Sequence, residues 1–373
     1  MKKILFISHD ASRTGAPLLL IWLIKWLKIN KAIDPYVLLL NDGVLKNDFE
    51  EIAKTFLWEN SFQNLSFLKR LFVKFKLLSV RSNYQKHLLN KLKTIGPDYL
   101  YFNSIVSSPL IPFLKGQLGC PTILHVHEYK SIIHQFDLDG DVSNGFKYVD
   151  QFITVSEIVN QNLLLNYGIK NENSIIVYEY IDFTRYKPIP KKLNSERIII
   201  GGGGLVHWRK GVEFFIIVAN YFKKKYPKIN IEFWWIGVVK PNDRIYLEQD
   251  IIKLGLQDTV FLKGEIIEMS DVLNEIDLFL ITSREDPFPV IAIEAAYHYN
   301  PLITWNQAIG TKEIIEKGCG ETVDYMDFEA MSKAIYHIVN DVDLYNNYAQ
   351  NSHKVSLELS IDNAGNKIFT LFK

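Results

Sequence analysis

What most constrains this chain is an alternation of short apolar, strand-like runs with helix-like segments that continues to about residue 180, stops, and begins again. In the first half, Lys3–Ser8, Tyr36–Leu40, Tyr99–Phe102, Thr122–Val126 and Gln151–Val155 read as strands, and the half ends near Ile175–Tyr178. The first strand is followed by a loop, Thr14-Gly15-Ala16-Pro17, and the apolar helix Leu18–Leu27. Ile181–Glu196, rich in Pro and Lys, reads as a linker. Arg197–Ile200, Ile231–Ile236, Val260–Lys263, Asp277–Thr282 and Leu302–Thr304 then repeat the pattern, and helical segments Phe328–Val339, Leu344–Leu357 and one ending at Phe372 close the chain. Strand–helix alternation of this kind builds parallel sheets covered by helices, so the expected fold class is α/β with two Rossmann-like halves. Ligands of such sheets bind beyond the carboxyl ends of the strands, which directs attention to the loops there and to a cleft between the halves.

At 373 residues the chain is long enough for two cores, and a formal net charge of zero argues against a nucleic-acid partner. Two cysteines, Cys120 and Cys319, lack metal-type spacing and fit a reducing compartment. The N-terminal apolar run is too short for a signal peptide and no stretch reaches membrane-spanning length. These features imply a cytoplasmic setting, or the cytosolic face of a membrane. The segment Leu65–Val80 interleaves Lys69, Arg70, Lys74 and Lys76 with Leu68, Leu71, Phe72, Phe75 and Leu78 at helical spacing. Such a basic amphipathic helix suits either peripheral contact with an anionic membrane or an ordinary solvated helix face.

The richest stretch is Ser283–Ala296, where a strand end, a Pro-Phe-Pro turn and a helix start carry Glu285 and Asp286 at one end and Glu294 at the other. A helix N-terminus offers backbone N–H groups and a favourable dipole to an anion, whereas carboxylates suit hydroxyls. Together they suggest a ligand bearing both phosphates and sugar hydroxyls. Gly201–Gly204, directly after a strand, leads to His207, Arg209 and Lys210, a combination suited to a diphosphate. In the first half, Gly15 holds the matching strand-to-helix position. Asn103 and Ser104 follow one strand end, and His125-Val126-His127-Glu128 follows another. A strand continuing through His127 would put both imidazoles on one face, as in a metal pair. A strand stopping near Val126 leaves His125 in the sheet and His127 in the loop, which is the better reading. No metal site is expected.

In this order the motifs resemble the retaining nucleotide-sugar glycosyltransferases of the two-Rossmann GT-B fold, specifically the large bacterial family 4 (glycosyl transferases group 1) of polysaccharide and lipopolysaccharide type. The elements carrying the resemblance are Thr14-Gly15-Ala16-Pro17, His127, Val155-Ser156-Glu157, Lys210-Gly211, the acidic pair Asp286 and Glu294, and Gly310 before Thr311–Glu316. The resemblance implies an N-terminal acceptor-binding domain over 1–180, a linker over 181–196, and a nucleotide-sugar-binding domain over 197–357. A C-terminal helix over 358–373 would return to the N-terminal domain.

Among the residues, it implies that Lys210, with Arg209, holds the donor diphosphate and that Glu294 binds ribose hydroxyls. Asp286 or its neighbour Glu285 would touch the donor sugar. The backbone around Phe288, Pro289, Val290 and Ile291 would lie near sugar or phosphate, Gly203 and Gly204 beside the diphosphate, and Gly264 and Glu265 at the base. His127 would act near the reacting carbon. Gly15 would line the donor, and Asn103 and Ser104 the acceptor side. The partners implied are a nucleoside diphosphate sugar and a glycan or lipid-linked acceptor, with no cofactor. The chain departs from the pattern in having Asp at 286, Leu205 where an Arg is usual, Glu179-Tyr180 before the linker, and Pro289 in place of a Gly. Those departures leave open a non-catalytic partner protein, and an epimerase of the same fold, which would cleave the same bond, stays open as well.

Overall fold

The computed structural model describes residues 1–58, 84–193, 196–307 and 309–373. The basic amphipathic segment read over 65–80 lies outside them. Backbone contacts divide the chain into two units. The first comprises Met1–Val155, Val159–Val177 and Ile361–Lys373, and the second Ser156–Ile158 and Tyr178–Ser360.

In the first unit, β1 (Lys3–Ser8), β2 (Asp34–Leu39), β3 (Lys54–Leu57), β4 (Tyr99–Asn103), β5 (Thr122–Val126), β6 (Gln151–Thr154) and β7 (Ser174–Ile176) form one sheet in the order β3-β2-β1-β4-β5-β6-β7. Its strand pairs are parallel. Inner strands are buried on both faces, which is why β1 and β4 read as nearly continuous apolar runs. The helix Gly15–Lys31 crosses from β1 to β2 and packs against the C-terminal helix Ile361–Phe369. There Gly365 lies so close to Trp26 that a Cβ would meet the indole at 2.4 Å, and Trp26 Nε1 donates to Asp362 Oδ1 at 2.5 Å.

In the second unit, β8 (Ile198–Gly203), β9 (Ile231–Ile236), β10 (Val260–Gly264), β11 (Leu278–Ile281), β12 (Leu302–Trp305) and β13 (Gly320–Val323) form a second parallel sheet, ordered β10-β9-β8-β11-β12-β13. Each sheet therefore reverses its winding direction beside its first strand. The reversal falls between β1 and β4 in one sheet and between β8 and β11 in the other, where strand ends leave a crevice open to ligands.

Two strands, β3 and β13, had no counterpart in the sequence reading. Both are four-residue strands at a sheet edge, with exposed or half-buried side chains. Paired on one side only, they need no apolar run, so their composition carries little strand signal. Among the described residues, no helix is long and apolar enough to cross a membrane.

The segment after Tyr180 is not loosely tethered. Lys187 N–H donates to Ser270 Oγ at 3.0 Å, and Ile189 N–H to Asn274 Oδ1 at 3.0 Å. Lys191 Nζ donates to Leu273 O at 2.6 Å, to Asn300 Oδ1 at 2.7 Å and to Ile276 O. An ammonium on the last carbonyls of the helix Met269–Glu275 satisfies acceptors that the helix cannot fill itself. Burial pushes the Lys191 amine down to about 7, and buried Asp277 nearby is pushed up to about 6.

Candidate functional site

The second unit assembles its charged site at the reversal point of its sheet. From β8 the chain passes through Gly204, whose φ of +134° is open to glycine alone in practice, and a single 3-10 turn over Trp208–Lys210. A Cβ on Gly204 would sit 3.0 Å from Lys210 Cδ and Cε, so the missing side chain is the room through which the lysine passes. From β11 the chain passes through Ser283 to Asp286. The two ends meet: Lys210 Nζ lies 2.6 Å from Asp286 Oδ2, and Arg209 Nη1 lies 3.2 Å from Asp286 Oδ1. Ser283 Oγ donates to Asp286 Oδ2 at 3.0 Å, and Arg209 Nη1 also donates to Glu285 O at 3.1 Å.

This cluster is charged inside a protein interior, where burial and the neighbouring charges compete. Burial would raise the Asp286 carboxyl, but Lys210, Arg209 and the Ser283 hydroxyl outweigh it and hold it below its ordinary value. Burial lowers the Lys210 amine, Asp286 opposes that, and the adjacent Arg209 adds to it. The Asp286 side chain is 5% exposed while Lys210 and Arg209 keep 15% and 25%, so the cations, not the carboxylate, face outward.

Asp286 is fixed from its backbone as well. It forms an isolated parallel bridge with Ile309, and Gly310 N–H donates to Asp286 O at 2.9 Å. A Cβ at Gly310 would fall 1.7 Å from Pro287 O, so no other residue allows the loop this approach. Pro289 then caps the helix Val290–Tyr297 in extended conformation. Phe288 is buried against Tyr178, with ring centroids 5.1 Å apart, and Ile291 packs where a Cβ on Gly203 would stand. The glycine of residue 203 thus serves helix packing against β8.

Glu294, at the start of the second turn of that helix, accepts a 2.5 Å hydrogen bond from the Tyr186 hydroxyl. Burial raises the Glu294 carboxyl, against the pull of Tyr186 and Arg185. Tyr186 was not singled out from the sequence, because a tyrosine in a Pro/Lys-rich stretch carries no spacing that ties it to a helix more than a hundred residues on. His298 closes the helix: its ring nitrogen Nδ1 meets Glu294 O at 2.7 Å, so that nitrogen carries the proton. Nε2 is then the acceptor for Ser270 Oγ at 3.1 Å. Gly264 ends β10 with φ +78°, and Glu265 beyond it is exposed.

The first unit gathers its residues in the corresponding place. Gly15, exposed, starts the helix after β1. Asn103 ends β4, its amide Nδ2 donating to Ala16 O at 2.9 Å. That bond fixes the amide, turns Oδ1 towards His127 Nε2 at 3.0 Å, and requires Nε2 to carry hydrogen. Ser104, at φ +87°, hydrogen-bonds Glu128, whose Oε2 accepts from the N–H groups of Ile105 and His127 at 3.2 and 3.1 Å. β5 stops at Val126, so His125 belongs to the sheet and His127 to the loop. Buried His125 hydrogen-bonds Tyr101 Oη at 2.7 Å, and burial with the nearby His127 holds its pKa well below the ordinary value. Among the described residues, no third His, Cys, Asp or Glu completes a metal-ligand group with this pair.

Two Rossmann-like parallel sheets, each with its polar residues at the reversal point, define the GT-B architecture of glycosyltransferases. Residues 196–341, which lie in the second unit, match the family described as Glycosyl transferases group 1. The fold matches the Anabaena protein HepE, solved with UDP and glucose, at a TM-score of 0.79 and 18% identity over 100% of this chain and 99% of that one. The capsular polysaccharide biosynthesis glycosyltransferase CapM of Staphylococcus aureus is 23% identical over 208 residues, 54% of this chain and 53% of CapM. An uncharacterized glycosyltransferase of Haemophilus influenzae is 23% identical over 169 residues, 45% of this chain and 46% of its own. The chain spans about half the length of these two curated relatives.

Proposed function

We propose that the protein is a glycosyltransferase that moves a sugar from a nucleoside diphosphate sugar to a hydroxyl of a glycan or lipid-linked glycan in surface polysaccharide synthesis, with retention at the anomeric carbon. The observation that carries this reading is the Lys210–Arg209 pair, cationic and partly exposed, at the crevice of the second sheet, with Glu294 in the adjoining helix. The names of the similar proteins support it: HepE is solved with UDP and glucose, and CapM is a capsular polysaccharide glycosyltransferase.

In this reading the breaking bond is that between the anomeric carbon and the diphosphate oxygen. The leaving nucleoside diphosphate gains negative charge, which Lys210 and Arg209 stabilise without a metal ion. Glu294 takes ribose hydroxyls, and the Glu285–Asp286 step lies at the donor sugar. Asn103, Ser104 and His127 of the first unit serve the acceptor and the reacting carbon. Asn103 Oδ1 accepts from His127 Nε2–H and so fixes the orientation of the imidazole that serves the reacting carbon. The departing phosphate accepts the acceptor's proton. The test is transfer of labelled sugar from UDP-, GDP-, dTDP- or ADP-sugars to a lipid-linked glycan fraction, with the product's anomeric configuration read by NMR. Release of nucleoside diphosphate only with acceptor present supports transfer. Release without acceptor, with an altered sugar, indicates an epimerase.

A further inference from the structure

We propose that Tyr186 and Lys187, neighbours in the segment after Tyr180, position Glu294 for the ribose by holding it at both ends. Tyr186 holds the carboxylate, and the Lys187 main chain, acting through Ser270 and His298, holds the Glu294 carbonyl. The proposal rests on the reading of Glu294 as a ribose-binding residue and deepens it. At the carboxylate, the Tyr186 hydroxyl donates to Oε1 at 2.5 Å. The Tyr186 ring stands edge-on to Tyr297 and His298, with centroids 6.3 and 5.8 Å apart, so it is packed against the end of the helix that carries Glu294.

At the main chain, the hydrogen bonds run in one direction, set by the first donor. An amide N–H can only donate, so Lys187 N–H takes a lone pair of Ser270 Oγ at 3.0 Å and leaves the Ser270 hydrogen for another acceptor. His298 Nε2, 3.1 Å away, accepts it. His298 Nδ1 then carries the proton and donates to Glu294 O at 2.7 Å. The imidazole must be neutral for this, and burial, which lowers its pKa to about 4, keeps it so. Lys187 is itself held. Ser270 and Asn274 stand one turn apart on the helix Met269–Glu275, and Asn274 Nδ2 donates to Lys187 O at 2.9 Å while its Oδ1 accepts from Ile189 N–H at 3.0 Å. Both main-chain groups of Lys187 are therefore engaged. A ribose meets a carboxylate that is already ordered, and the cost of ordering it falls on folding and not on binding. Tyr186, Ser270 and His298 are thus positioning residues that act through Glu294.

The test is a double-mutant cycle. Ser270→Ala breaks the chain of hydrogen bonds and Ser270→Thr keeps the hydroxyl. Each is made in wild type and in Glu294→Ala, with folding checked by circular dichroism. Affinities for UDP, GDP, ADP and dTDP are measured by calorimetry and compared for the nucleotide that wild type binds best. Ser270→Ala should weaken binding about three- to fivefold in wild type and less than about twofold in Glu294→Ala. Ser270→Thr should keep wild-type affinity to within about twofold. Tyr186→Phe should show the same dependence on Glu294. Equal Ser270→Ala losses in both backgrounds would overturn the proposal and leave Ser270 a structural role alone, and no loss in either would overturn it too. Glu294→Ala should itself weaken binding about tenfold or more. Binding by Glu294→Ala as tight as that of wild type would instead take Glu294 away from the ribose, and the proposal with it, so the two failures are told apart by the single variant.

Discussion

Lys210 Nζ lies 2.6 Å from Asp286 Oδ2, joining the loop after β8 to the loop after β11 across the point where the second sheet reverses its winding. The pair ties the site's charge to its architecture, because Asp286 is buried and Lys210 helps to hold its carboxyl below the ordinary value.

Removing the lysine therefore carries a stability cost besides a catalytic one. Lys210→Ala should lower transfer by orders of magnitude, since the leaving diphosphate loses its main cation. It should also destabilise the fold by about 2–3 kcal/mol, because a buried carboxylate is left with only Arg209 and Ser283. Urea unfolding of the variant measures the second effect independently of activity.

Tyr186→Phe removes one hydroxyl from Glu294 and nothing else in volume. If Glu294 binds ribose, the variant should bind the ribonucleotide about three- to tenfold more weakly. Binding of the 2′-deoxy counterpart should change less. Equal losses for both nucleotides would assign Tyr186 a purely structural role.

His298 predicts an acid-side loss of stability. Burial depresses its folded pKa from 6.5 to about 4, so the unfolded chain takes up a proton that the folded chain refuses. The sign follows: the stabilisation is complete above pH 6.5 and disappears as pH falls towards 4, amounting to on the order of 3 kcal/mol. The fall in Tm of wild type between pH 6.5 and 4 should be shallower in His298→Gln.

Gly310→Ala places a Cβ 1.7 Å from Pro287 O. The loop must move, and with it Asp286 and the cations that it holds. A loss on the order of 3 kcal/mol in stability is expected, with donor affinity falling in parallel. Normal Tm and normal nucleotide binding in the variant would show the loop to be freer than its hydrogen bonds imply.

Asn103→Ala should reduce turnover more than nucleotide affinity, because it frees His127 Nε2 from the acceptor that orients it. His127→Ala should do the same to a greater extent. If either variant lost nucleotide affinity instead, His127 would belong to the nucleotide and not to the reacting carbon.

Much of the architecture was legible because buried parallel strands leave apolar runs: β1, β5, β9 and β11 were read nearly to their ends. The edge strands β3 and β13 were not, since half their surroundings are solvent. Lys210, Asp286 and Glu294 could be found because strand-to-helix loops concentrate their signal in a few residues. Their mutual geometry could not. That Asp286 spends its carboxylate on Lys210 and Arg209, that Tyr186 meets Glu294, and that Lys191 locks 181–191 onto the helix Met269–Glu275 are contacts between segments 76 or more residues apart. Gly203 shows the same limit, since its sequence context suggests a ligand approach while its Cβ position is filled by Ile291.

The central claim is that Lys210 and Arg209 bind the diphosphate of a nucleotide-sugar donor. Calorimetric titration of UDP, GDP, ADP and dTDP into wild type and into the double variant Arg209→Ala/Lys210→Ala tests it most directly. The account predicts that wild type binds at least one of the four, and that the double variant, shown folded by its circular dichroism, loses on the order of a hundredfold in affinity for it. Equal affinity of the two proteins, or no binding by wild type, would contradict the claim.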